Sequence, residues 1–430
     1  MTDVHAVSVL AEEPIGLGQG RLLAAGGPDL GSARESGVWT GLTRTRDAGA
    51  ESVRAWVANA GLQGRGGAWF PLSRKWDAAV EADGIPVVVV NGAEDEPGSR
   101  KDRHLMATRP HLILEGAIVS ALALGADTVI LYVNEEAAPA LAAMGTAVDE
   151  ARAAGLLDPI EVIVAAAPAV YVAGEDSAAV EFLETGVAQP RSKPPYPATA
   201  GLDGRPTVIS NVETVAHVAL IAQHGPDWFR EQGAEHAPGT MLVTVPDCFV
   251  RPGIYEIPVG ANLRDVMAAA GDVRTGLPRG IQVGGPAAGW ITDFDVALDP
   301  ASVAAAGSML GCAALNVLEA GACAVDASAA VAAFFAAESC GKCPPCRMTT
   351  QFHDRALSGL ATGGAVNEGQ LDTALELTTM AREGTDCSLA GFPGAPLRTA
   401  RAAFADDFAR HLGGDDCLLH HDHRPLQVGH

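Results

Sequence analysis

The strongest constraint on this chain lies in residues 338–347, ESCGKCPPCR, which put Cys340, Cys343 and Cys346 at a Cys-x2-Cys-x2-Cys spacing. Three thiolates on one tight turn can cap three corners of a single cube of iron and sulfide. Iron–sulfur clusters are normally held by four cysteines, so the fold must deliver one more from elsewhere. Cys387, in GTDCSLAG, is the best candidate. Zinc is the alternative, since structural zinc also takes four Cys or His ligands. Zinc sites usually pair two short Cys/His hairpins, and no second CxxC or HxxxH follows here. Disulfides fit less well: neighbours this close leave an odd cysteine, and the N-terminus lacks the basic-then-apolar pattern of an export signal.

The 430 residues are 48% apolar, enough for two or three domains with their own cores. No run of eighteen uncharged apolar residues occurs, so no membrane span is expected. Eight cysteines without an export signal fit a reducing cytoplasm. A formal charge of −23 disfavours nucleic acid and anionic membrane as direct partners.

Residues 1–50 are polar, Gly-rich and weakly periodic and read as an extension wrapped over a neighbouring element. The run 85–90, with Val87 to Val90 consecutive, predicts a strand buried on both faces. Helical periodicity over 110–125, a strand over 128–133, a helix over 135–154 and a strand over 160–164 follow. Alternating strands and helices predict an α/β fold with a parallel sheet. From Met241 the pattern changes to short strands at 241–245 and 253–257, a helix at 263–270 and a strand at 281–283. After Asp326 the chain reads as helical to about His411.

Four motifs besides the cysteines could carry chemistry. In GLQGRGGAWFPLSRKW (61–76), glycines free successive peptide N–H groups to surround an anion, with Arg65 and Lys75 adding charge; a purely structural turn is the competing reading. NGAEDEPGSRKDRHL (91–105) directly follows the buried strand, where ligands of open α/β sheets sit. Asn91 offers an amide to a heterocycle edge, and Glu94, Asp95 and Glu96 offer carboxylates to sugar or ribityl hydroxyls; a solvated acidic loop is the alternative. In YVAGEDSAAVEFLETG, Gly174, Glu175 and Asp176 open a helix, where acids also stabilise by facing the helix dipole. RSKPPYPATAGLDGRPTVISNVET holds Lys193 and Tyr196 in a Pro-stiffened loop, with Asn211 and Thr214 where a helix begins; a plain N-cap role for Ser210 or Asn211 is the competing reading.

In this order, GRGGA-F, K-W, N---EPG--KDR, GE, PR-KPP-PA--GL-G-PT, NVET and ESCGKC-PCR resemble one family closely, from about Gly61 to Leu389. It is the family of flavoprotein (51 kDa or F) subunits of respiratory complex I NADH dehydrogenase, with the related diaphorase subunits of NAD-linked hydrogenases and formate dehydrogenases. The resemblance implies an α/β domain binding FMN and NADH (51–235), a small ubiquitin-like module (238–292) and a helical domain (326–415) carrying a [4Fe–4S] cluster, ahead of a disordered tail (416–430). It implies that Gly64, Gly66 and Lys75 cradle the flavin phosphate and nearby oxygens. Asn91, Glu94, Gly174, Glu175, Asp176, Asn211 and Thr214 would line the flavin. Phe70, Glu96, Lys193 and Tyr196 would face the nicotinamide nucleotide, and Cys340, Cys343, Cys346 and Cys387 would hold the cluster. NADH would give a hydride to FMN, and electrons would leave singly to a small [2Fe–2S] thioredoxin-like subunit and a larger iron–sulfur or catalytic subunit. The chain would work in the cytoplasm, or at a membrane through its complex.

The chain departs from this pattern at several positions. Trp69 stands where the family has Gly, in a loop where an indole would crowd flavin or nucleotide. Ala78 replaces an aromatic that stacks on adenine, Ala93 an aspartate, Asp176 a glutamate and Ser210 the first Asn of a pair, while Tyr196 replaces Phe. A diverged paralogue acting as an electron relay or cluster carrier without NADH oxidation is the alternative. Cys248, Cys312, Cys323 and Cys417 read as buried small apolar residues. Cys417, His420, His421 and His423 read as a solvated tail, with a divalent-metal site the second reading.

Overall fold

The computed structural model describes residues 20–24 and 26–415. The tail reading, with Cys417 and its histidines, lies outside the described residues. Four parallel strands, β1 (Val87–Gly92), β2 (Thr128–Asn134), β3 (Glu161–Ala167) and β4 (Thr207–Asn211), form one sheet in the order β3-β2-β1-β4. The chain therefore runs outward from β1 through β2 to β3, then returns to the other side of β1. That reversal is a topological switch point, and the residues at its carboxyl edge, Asn91 and Asn211, are paired in register. Burial explains the valine run: Val88 and Val90 join one apolar cluster, Val87 and Val89 the one on the opposite face. Each such side chain stabilises the fold by about 1.5–3 kcal/mol over exposure.

β4 is absent from the sequence expectations. Its residues TVISN follow Pro206 and lead straight into a helix, and five residues of mixed polarity carry little period-2 signal. The helix Val212–His224 packs its buried length on Pro110–Leu124, an almost wholly buried helix behind the sheet. Gly116 makes that contact: a Cβ there would lie 2.0 Å from the carbonyl oxygen of Val215.

The N-terminal segment is more regular than its weak periodicity predicts, with helices Leu30–Glu35 and Thr40–Ala48. Two buried carboxylates explain its docking. Glu256 Oε2 accepts the backbone N–H groups of Arg21, Leu22 and Leu23 at 2.8, 2.9 and 3.0 Å. Glu115 Oε1 accepts the N–H of Leu42 at 2.9 Å.

Residues 240–258 form an antiparallel hairpin, Thr240–Val245 with Gly253–Pro258, followed by the helix Leu263–Ala270. Gly280–Gln282 pairs with Asn316–Leu318 in a separate two-stranded sheet, and one apolar cluster runs from Ala237 to Leu315. These pairings do not themselves constitute a single ubiquitin-like sheet. The helices Ala324–Ala337, Pro344–Ala361, Glu368–Ala381, Gly394–Ala403 and Ala405–Leu412 make up the C-terminal part. Buried Asp407 ties it to the preceding region, accepting from Arg279 at 2.7 and 3.0 Å and from the N–H of Ala324 at 2.8 Å. Among the described residues no helix is long and apolar enough to cross a membrane.

Gly116→Ala forces a methyl into a carbonyl and is expected to destabilise the protein by about 1–3 kcal/mol. Thermal melting of the two proteins checks this; an unchanged midpoint would contradict the packing described.

Candidate functional site

Two adjacent sites can be built from the residues upward. The first is the cysteine turn. Cys343 stands at the N-cap position of the helix Pro344–Ala361, whose Pro344 and Pro345 suit a first turn that needs no N–H donors, and Cys346 sits within that turn. Cys340 lies in the loop before it and Cys387 follows the short turn Arg382–Gly384. All four cysteines line one cavity, with Pro190, Lys342, Thr385 and Asp386. Cys346 is buried, Cys343 and Cys387 half-buried and Cys340 exposed. The N–H of Asp386 points at Cys343 Sγ (3.5 Å), and Ser339 Oγ lies 3.6 Å from Cys346 Sγ, contacts that favour sulfur carrying negative charge. Burial pushes the Cys387 thiol up to about 12, with the Leu389 backbone opposing and Glu175, Cys346 and Cys340 adding, so a bound metal would displace its proton. Among the described residues no three His, Cys, Asp or Glu side chains form a group able to hold a single metal ion. Four thiolates around one cavity match the donor set of an iron–sulfur cube.

The second site occupies the switch point. The glycine loop folds back on itself through the N–H of Gly64 to the carbonyl of Phe70 (2.9 Å). Arg65 N–H donates to Thr214 Oγ1 at 2.8 Å, and Gly66 approaches so near that a Cβ would sit 3.0 Å from that of Asn211. Asn211 caps its helix through the N–H of Glu213 (3.0 Å). Asn91 donates to the carbonyl of Gly174 at 2.9 Å and accepts from the N–H of Ala93 at 3.2 Å. Glu175 caps the helix Asp176–Thr185 through the N–H of Ala178 (2.9 Å) and pairs with Lys193. Lys75 bonds Asp176 at 3.0 Å and the carbonyl of Ile209 at 2.7 Å. Glu94 accepts from Ser99 Oγ (2.6 Å) and the N–H groups of Asp102 (3.1 Å) and Arg103 (3.0 Å), which makes it the cap of helix Lys101–Thr108. Phe70 and Tyr196 are exposed, 49% and 60%.

Two expectations change. Arg65 offers no charge to the loop: its guanidinium is buried, donating to the carbonyls of Gln63, Pro238 and Thr240 at 3.0, 3.0 and 3.2 Å. Trp69 turns toward the 237–315 core, its Nε1–H bonding the carbonyl of Gly311 at 2.9 Å and its ring stacking on Arg65 at 4.5 Å. Its φ of +53° is one that glycine adopts freely and that costs another residue about 1–2 kcal/mol.

The charges beneath the site are not foreseen from the sequence. Lys101, 1% exposed, bonds Asp102 at 2.8 Å, Glu213 at 2.9 Å and Asn211 Oδ1 at 3.3 Å; Asn211 Nδ2 in turn donates to Asp102 at 2.6 Å. Burial alone would lower the lysine's pKa, but Asp102, Glu213 and Glu94 raise it above its ordinary value. KDR and NVET carry these residues in plain view; nothing in their spacing announces that they meet.

Glu96 accepts from Tyr171 Oη at 2.9 Å, while its Oε1 is shielded from solvent and has no hydrogen-bond partner among the described residues. Burial pushes its carboxyl up to about 8, Tyr171 opposing and Asp95 adding. The neutral form is thus favoured in the fold: its contribution is complete below the ordinary carboxyl range and is lost as pH rises through about 8. Glu96→Gln, permanently neutral, should melt like the parent near pH 4 and higher than it near pH 9. Equal melting at both pH values would contradict this environment.

Comparisons with known proteins follow the same division. Residues 57–220 match the Nuo51 FMN-binding domain model, and residues 326–411 match the NADH-ubiquinone oxidoreductase-F iron-sulfur binding region. The chain is 39% identical over 383 residues to the F subunit of NADH-quinone oxidoreductase from Mycobacterium bovis, covering 85% of this chain and 86% of that one. The Escherichia coli counterpart is 35% identical, covering 82% of each. Among solved structures, NAD+-reducing [NiFe]-hydrogenase in the H2-reduced state superposes with a TM-score of 0.79 at 32% identity, over 87% of this chain and 65% of that longer one. The chain therefore belongs to the family of NADH-quinone oxidoreductase F subunits.

Proposed function

We propose that this chain oxidises NADH and delivers the electrons one at a time to a partner iron–sulfur protein. The reading is carried by one stretch, residues 190–193, that serves both sites. Pro190 lines the cysteine cavity and accepts from Lys342 at 2.6 Å, Ser192 donates to Asp386 at 2.7 Å, and Lys193 pairs with Glu175. A second link runs through Tyr171, which donates its hydroxyl to Glu96 and its N–H to Glu338 at 3.0 Å, two residues before Cys340. When bound, FMN accepts a hydride and yields single electrons, which a [4Fe–4S] cluster carries; that chemistry is the cofactors' own.

The chain's residues bind, orient and insulate. On this reading Cys340, Cys343, Cys346 and Cys387 hold the cluster. Gly64, Gly66 and Lys75 hold the flavin phosphate side, supported by the open backbone at Gly66. Asn91, Glu94, Gly174, Glu175, Asp176, Asn211 and Thr214 line the flavin, and most of their observed bonds are structural ones that hold the surrounding loops and helix starts in place. Glu96 and Lys193 face the nucleotide, with Phe70 and Tyr196 offering exposed rings for stacking. Cys340 is exposed, which suits electron exit to a partner docked beside it. The relatives are named as subunits, which supports a multi-subunit complex; within it, a small [2Fe–2S] thioredoxin-like subunit and a larger iron–sulfur or catalytic subunit are the partners the reading calls for.

Protein purified anaerobically should carry one flavin and about four irons, and NADH should bleach the flavin. Cys387→Ser should lose most of the iron while retaining flavin uptake. Colourless parent protein with stoichiometric zinc, or equal iron in parent and variant, would contradict the assignment.

A further inference from the structure

The glycine loop is held from two sides. On the sheet side, Arg65 N–H bonds Thr214 and Gly66 abuts Asn211. On the other side, Gly67 pairs in an antiparallel bridge with Gly311, and Trp69 Nε1–H bonds the carbonyl of the same glycine at 2.9 Å. Trp69 also lies against the apolar core of residues 237–315, and Arg65, immobilised by three carbonyls, stacks on its ring. An indole held at φ +53° by this many contacts is a fixed point, and Gly66, three residues before it, is exposed.

We infer that Trp69 is a positioning residue that locks the glycine loop in its anion-binding form by anchoring it to Gly311. The indole takes no part in contacting the ligand. It removes alternative loop conformations, so that the loop backbone needs no further ordering when a phosphate monoester arrives; such preorganisation raises affinity without adding a contact. With glycine at this position the loop keeps the bridge at Gly67 but loses the side-chain anchor and regains backbone freedom. This inference rests on the flavin reading given above and concerns the phosphate end of that ligand.

The test compares FMN with riboflavin, which lacks the phosphate, by fluorescence titration of full-length flavin-free protein. Trp69→Gly should bind FMN about tenfold more weakly, equivalent to about 1.4 kcal/mol, with riboflavin affinity unchanged. Trp69→Phe, which keeps a ring but loses the N–H, should fall between Trp69→Gly and the parent. Equal loss for both flavins would reveal a general structural role and overturn the inference, as would unchanged FMN affinity in Trp69→Gly. If Trp69→Gly does not fold, Trp69→Phe decides: parental FMN affinity overturns the inference. Parent protein that binds neither flavin would instead overturn the flavin reading itself.

Discussion

A lysine ammonium sealed from water sits beneath the site and sets its geometry. Lys101 cannot be buried as a charge unless its partners surround it, and breaking such a pairing typically costs about 3–5 kcal/mol because the charges left behind remain buried. Its partners come from separate parts of the chain: Asp102 beside it, and Glu213 and Asn211 at the junction of β4 and the following helix. Glu213 extends the network by accepting the N–H of Leu242 at 2.9 Å, in the first hairpin strand beyond the sheet. Satisfying one ammonium thus fixes where β4 ends, how its helix begins and where the next region docks. The glycine loop then rests on Thr214, one residue further on.

Against that base, the residues the family motifs single out mostly bond one another. Asn91 holds Gly174, Glu175 holds the start of its own helix and Lys193, and Glu94 caps the helix that presents Lys101. Each serves a structural purpose, and the structural and functional readings weighed from sequence turn out to be compatible. A capping carboxylate builds a rigid wall, and a rigid wall holds a cofactor with little ordering cost. Phe70, Tyr196 and Gly66 are the exposed members.

Much of this was legible in the residues. Four consecutive valines announce a strand covered on both faces, and the cysteine spacing demands a fourth thiol that Cys387 supplies to the same cavity. What stayed hidden depends on long-range pairing. β4 is short and mixed in polarity, so only its place beside β1 makes it a strand. Arg65 reads as a cation for a ligand until Gln63, Pro238 and Thr240 are seen to consume its donors. Trp69 reads as an obstruction until its indole is found turned toward Gly311. The N-terminal segment owes its position to Glu256 at residues 21–23, Glu150 at Leu30 and Glu115 at Leu42, acids far along the chain that no local pattern connects to it.

The central claim is that the nucleotide side and the cysteine cavity, joined through residues 190–193 and Tyr171, form one electron path. Low-temperature electron paramagnetic resonance on anaerobic, flavin-loaded protein frozen after mixing with NADH tests it directly. NADH alone is expected to produce the signal of a reduced [4Fe–4S] cluster. Flavin bleaching by NADH with a cluster that only a chemical reductant such as dithionite reduces would contradict it.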